Sequence, residues 1–133
     1  MELKRELMEA LLQWKNRQQR KPLIIQGARQ IGKTWIMKKF GETYYEHVAY
    51  FNFDASEELC REFENTKDPQ RLIGILRLYT DQPIEPETTL IIFDEIQQSN
   101  KALNSLKYFC EDAPQYHICL LYTSPSPRDP KTS

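Results

Sequence analysis

The sequence predicts an α/β protein built on a parallel sheet with helices on both sides. Three observations predict it. Short apolar runs alternate with stretches of helical periodicity along most of the chain, as in a parallel sheet crossed by helices. A glycine-bearing loop, Gly27-Ala28-Arg29-Gln30-Ile31-Gly32-Lys33-Thr34, lies between the first apolar run and the helical segment that follows. A later run, Leu90-Ile91-Ile92-Phe93, is continuously apolar and ends in the acidic pair Asp94-Glu95. Continuous apolar strands are what a sheet covered on both faces requires.

The elements follow in order. Residues 2–17 carry Leu3, Leu7, Leu11 and Trp14 at helical spacing with charges between them, which predicts an amphipathic helix lying on the domain. Trp14 belongs to that apolar stripe, so core packing is preferred to a role over a ligand ring. Gln18-Gln19-Arg20-Lys21-Pro22 is a polar, solvated connector. Residues 23–26 form the first strand, and a helix then runs from the glycine loop to Phe40, with Gly41 as its C-cap. Residues 48–53 form the second strand. Asp54 or Ser56 caps the next helix, with Asp54 preferred as a cap over a site residue; Leu59, Cys60 and Phe63 supply that helix's apolar face. Asp68-Pro69 opens a further helix as N-cap and first-turn proline, with Leu72, Ile73 and Leu76 as its stripe, continued by Tyr79 or Leu78. The third strand spans 89–93. A helix from Asn100 to Glu111 turns Leu103, Leu106 and Cys110 inward and stops before Pro114, and residues 117–121 form a fourth strand. The expected organisation is a helix and connector at 1–21, an α/β core at 22–121 and a disordered tail at 122–133.

Bulk properties narrow the function. The 133 residues suit one domain, and a net charge of −1 excludes a bulk electrostatic grip on nucleic acid. The N-terminus has no continuous apolar region of a signal peptide, and no run is long enough to span a membrane. Three cysteines, Cys60, Cys110 and Cys119, show no metal-ligand spacing and read as thiols of a reducing cytoplasm. His47 and His117 flank strands without ligand spacing, so surface or packing roles are expected of them.

The glycine loop fits G-x-x-x-x-G-K-[ST], whose chance occurrence in a chain of this length is on the order of one in a few hundred. Its setting between strand and helix is the one the phosphate-binding P-loop needs. Gly27 and Gly32 let main-chain N–H groups approach an anion, and these together with the helix N-terminus form a phosphate cradle. Lys33 is placed to reach β- and γ-phosphates, and the Thr34 hydroxyl to bind Mg²⁺. Arg29, inside the loop, reads equally as a phosphate contact or a solvated charge. About sixty residues on, Asp94-Glu95 closes a buried parallel strand, where ligands of open α/β sheets bind. Asp94 is expected to hold Mg²⁺ opposite Thr34, and Glu95 to orient and polarise the attacking water.

Gly27–Thr34 together with Phe93-Asp94-Glu95-Ile96-Gln97 resembles the bacterial and archaeal AAA-family ATPase and ATP-binding protein group, whose members carry GARQ-[IV]-GKT and DEIQ. The resemblance extends from residue 3 to residue 119. It implies an AAA-like P-loop core, a three-layer sandwich with strand order 5-1-4-3-2, of which about four strands are present here. It implies ATP and Mg²⁺ as cofactors, with Ala28, Arg29, Gln30 and Ile31 in the nucleotide-binding loop; Gln97, which matches the group's DEIQ, either hydrogen-bonds near the nucleotide, the preferred reading, or begins the following turn. Protein partners or self-association are implied for the full-length protein. Members of the group are longer and continue through a polar sensor, a fifth strand, a helical lid and a C-terminal domain. After Cys119 this chain departs from them: the Pro/Ser/Thr-rich tail resembles translated sequencing-adapter read-through and is expected to be spurious, the alternative being a genuine disordered tail. On that expectation the chain is an N-terminal fragment.

The expected function is Mg-dependent ATP hydrolysis in the cytoplasm. The alternative is a nucleotide-binding interaction module or an inactive fragment of a larger ATPase. A GTPase needs an Asn-Lys-x-Asp reader, and Asn100-Lys101-Ala102-Leu103 lacks the acid. A small-molecule kinase is disfavoured because Glu95, directly after Asp94, suits water activation.

Overall fold

The structure is a computed structural model and describes residues 2–16, 23–27 and 31–123. The connector at 17–22, loop residues Ala28, Arg29 and Gln30, and the tail from 124 lie outside the described residues. In chain order the elements are α1 (Glu2–Lys15), β1 (Leu23–Gly27), α2 (Ile31–Tyr44), β2 (His47–Asn52), α3 (Glu57–Asn65) and α4 (Pro69–Leu78). They continue with β3 (Thr89–Asp94), a 3₁₀ turn (Ile96–Gln98), α5 (Asn100–Asp112) and β4 (His117–Thr123). All strand pairings are parallel and the sheet order is β1-β4-β3-β2. The α/β class is therefore as expected, and the observed order is the 1-4-3-2 part of the implied arrangement.

The central strand explains the two-layered core. Every residue of β3 is buried. Because side chains alternate across a strand, Leu90 and Ile92 face one helical layer while Ile91 and Phe93 face the other. Leu11 and Trp14 of α1 and Ile36, Met37 and Phe40 of α2 pack with Leu90, Ile92, Cys119 and Leu121. On the opposite face, Leu59, Phe63, Leu72, Leu76 and Phe109 of α3, α4 and α5 pack with Ile91, Phe93, Ile118 and Leu120. Phe53, Phe63 and Phe93 meet edge to face with centroids 5.4–5.9 Å apart, a geometry favoured by the ring quadrupoles. At the far end of the sheet, buried His117 accepts or donates through Nδ1 to the Tyr45 hydroxyl and meets Trp14 edge-on at 5.8 Å. It is a packing residue, as expected, and ties α1 to β4.

The capping signals behave unevenly. Asp68 caps α4, accepting from the Gln70 N–H at 3.3 Å with Pro69 in the first turn. Leu78 is exposed, and Tyr79 rather than Leu78 continues the α4 stripe. The preferred reading of Asp54 as a helix cap is corrected: Ser56 caps α3, accepting from the Leu59 N–H at 3.2 Å. Asp54 instead sits in the preceding turn, its N–H bonded to Asn52 Oδ1 at 2.8 Å. Gly41 is also corrected. It lies inside α2, which runs to Tyr44, and is not a C-cap. A Cβ at this position would stand 2.4 Å from Val48 Cγ2 and 3.1 Å from Leu90 Cδ2. The glycine is required by close approach of helix to sheet, not by a turn. β4 extends to Thr123, two residues past its expected end, with Gln26 opposite Tyr122 and Gly27 opposite Thr123.

Candidate functional site

Because all four strands are parallel, their C-terminal ends lie along one edge. β1 ends at Gly27, β2 at Asn52, β3 at Asp94 and β4 at Thr123. The register sets Asn52 directly opposite Asp94, and the Phe53 N–H donates to the Asp94 carbonyl at 3.0 Å. The backbone of Gly27 closes β1, and that of Ile31, Gly32, Lys33 and Thr34 forms the first turn of α2. Strand β1 and helix α2 thus flank the glycine loop in sequence.

A hydrogen bond joins the two halves of the site. Thr34 Oγ1 donates to Asp94 Oδ2 at 3.1 Å across a separation of 60 residues. Asp94 is only 6% exposed, so its carboxylate depends on such donors; a buried charge without partners is strongly disfavoured. The Tyr50 hydroxyl, from β2, donates to the same Oδ2. Burial is the main reason the Tyr50 phenol is pushed far above its ordinary pKa, followed by its bond to Asp94. Lys38 of α2 places Nζ 4.0 Å from the centroid of the Tyr50 ring, a cation–π contact.

Glu95 follows in a different conformation. Its backbone is left-handed, with φ 55° and ψ 43°, a region that side chains other than Gly, Asn and Asp seldom occupy. The chain there leaves the strand and enters the 3₁₀ turn. Buried Ile96 anchors that turn, and Ser99 ends it by capping α5 through the Ala102 N–H at 3.1 Å. Within it, Gln97 Nε2 donates to Glu95 Oε1 at 2.7 Å. The Glu95 carboxylate is therefore held by a neighbour on its own turn.

Thr34 and Asp94, both singled out in the sequence, are brought into direct contact. Glu95 and Gln97, also singled out, bond to each other. Tyr50 and Lys38 were missed. The available signal was the alternation in β2: Val48, Tyr50 and Asn52 share a face, and in register with β3 this is the face of Leu90, Ile92 and Asp94.

The donor chemistry suits a hard divalent cation. A hydroxyl and a carboxylate offer oxygen only, and Mg²⁺ prefers few protein oxygens supplemented by phosphate and water. Among the described residues no group of three or more His, Cys, Asp or Glu forms a self-sufficient metal cage.

Among known families, the model of the AAA domain matches residues 19–128. No curated protein matches the chain. Among the described residues, no helix is long and apolar enough to cross a membrane.

Proposed function

The chain belongs to the AAA domain family, whose function is in general nucleotide binding of the ATPase type, and on that premise we propose that it binds ATP with Mg²⁺ and hydrolyses it. The observation that carries the reading is the Thr34–Asp94 hydrogen bond at 3.1 Å, which joins the glycine loop to the acidic strand end. The nucleotide-binding loop is Gly27 to Thr34. Main-chain N–H groups of the loop and of the first turn of α2 bind phosphate oxygens. Lys33 reaches the β- and γ-phosphates as a point charge. Thr34 and Asp94 would hold the cation. The cation, when bound, offsets negative charge on the phosphates and on the leaving group.

Glu95 orients a water and takes its proton as the water oxygen attacks the γ-phosphorus and the bond to the β-phosphate oxygen breaks. ADP carries away the bonding electron pair. In the structure Gln97 holds Glu95 by Oε1.

The test is a pair of variants measured for ATP binding and turnover. Lys33→Ala should weaken binding by roughly 10- to 100-fold or more, since hydrogen bonds to charged groups contribute about 1.5–3 kcal/mol. Glu95→Gln should keep binding and lower turnover by about 10²–10⁴-fold, the usual scale of general-base catalysis. Unchanged affinity in Lys33→Ala removes the P-loop reading. Unchanged turnover in Glu95→Gln removes the water-activating role, and binding without turnover in the parent chain identifies a nucleotide-binding module.

A further inference from the structure

We propose that Tyr50 is a positioning residue for Asp94: its phenol holds the carboxylate by Oδ2, braced by Lys38, in the orientation that serves a divalent cation. The inference rests on the Mg-nucleotide reading of this site and names a residue which that reading does not require.

Three contacts support it. The Tyr50 hydroxyl donates to Asp94 Oδ2, the oxygen that Thr34 also bonds. Among the described residues both side-chain donors fall on this oxygen, so the carboxylate is pinned from one side and Oδ1 is left for other partners. The Tyr50 ring is half-buried, and its outer part carries Lys38 Nζ at 4.0 Å. Lys38 stands four residues after Thr34 on α2, which puts the two on one helix face. Tyr50 therefore ties the helix that supplies Thr34 to the strand that supplies Asp94, while standing on a third element.

The chemistry favours this arrangement over a direct salt bridge. A lysine or arginine on Asp94 would neutralise the charge that attracts a cation. A neutral phenol orients the carboxylate and leaves its charge in place. Lys38 spends its charge on the ring face, one residue removed. Partners that orient metal-binding carboxylates commonly matter 10–100-fold in metal affinity.

Tyr50→Phe isolates the hydroxyl, because it keeps the ring and its contact with Lys38. The measurement is fluorescence titration of the full chain with a fluorescent ATP analogue, in EDTA and across Mg²⁺ concentrations, with Asp94→Asn alongside. The Mg²⁺ midpoint in Tyr50→Phe should rise about 10-fold or more, with the loss confined to the Mg²⁺ series and the melting temperature near that of the parent. A parental midpoint in Tyr50→Phe, with a shifted one in Asp94→Asn, overturns the role of Tyr50 and leaves the site intact. An equal loss in EDTA and in Mg²⁺ also overturns it, since Tyr50 would then act on fold or nucleotide. If Asp94→Asn leaves the midpoint unmoved, the Mg²⁺ site itself fails and the inference with it.

Discussion

Two cysteines show how far local surroundings set chemistry. Cys119 lies in β4 between Leu23 of β1 and Ile92 of β3 and is fully buried. Burial pushes its thiol well above the ordinary range. Cys60 on α3 is half-buried, and its thiol donates to the Phe53 carbonyl at 3.4 Å. It too is raised, by burial first and then by Glu64 and Glu57. The thiolate is the reactive form, so both resist alkylation at neutral pH, Cys119 more strongly because reagent must also reach it. Iodoacetamide labelling followed by peptide mass mapping should show slow modification of Cys60 and none of Cys119 until the protein is unfolded. Rapid labelling of native Cys119 would contradict its place in the sheet. At the candidate site, Asp94 and Glu95 were legible because an acidic pair closing an apolar run is a local pattern. Tyr50 was not, because its contact exists only once β2 lies beside β3 with Asn52 opposite Asp94.

Among the elements, α2 is the most instructive. Gly41 reads as punctuation, since glycine so often ends helices, yet the helix continues past it to Tyr44. What the position needs is the absence of a side chain, and the reason lies on Val48 and Leu90, in strands that come later in the chain. Gly41→Ala tests this by setting two effects against each other. Alanine gains about 1 kcal/mol of helix propensity. It also places a methyl 2.4 Å from Val48 Cγ2, on a β-branched side chain with little freedom to turn. Overpacking of this kind costs about 1–3 kcal/mol, so the variant should melt below the parent. Adding Val48→Ala should recover part of the loss, although Val48→Ala alone destabilises. A higher melting temperature in Gly41→Ala would assign the glycine no packing role. Asp54 and Ser56 carry the same lesson on a smaller scale. Both are good caps in sequence, and the choice falls to Ser56 because α3 begins at Glu57, which puts Ser56 and not Asp54 at the position next to its first turn.

At the scale of the whole molecule, the two hydrophobic layers are physically joined. Leu90 and Ile92 belong to one and Ile91 and Phe93 to the other, on consecutive residues of one buried strand. Neither layer can lose β3 without exposing the other, so the described core should unfold as one cooperative unit. Urea curves followed by far-UV circular dichroism and by tryptophan fluorescence, which reports the α1–α2 side through Trp14, should coincide. Separated midpoints would show two units where the packing argues for one. The architecture at this scale was the most legible part, since alternation of apolar runs and helical periods predicts a parallel sheet without knowledge of any contact. The left-handed backbone at Glu95 carries one more consequence. A residue of this type in that conformation gives up roughly 1 kcal/mol or more of stability, which glycine would restore. Selection for heat resistance alone would thus favour discarding the acid, whereas, on the proposed water-activating role, selection for turnover would favour keeping it. In a directed-evolution campaign, position 95 is where the two objectives diverge.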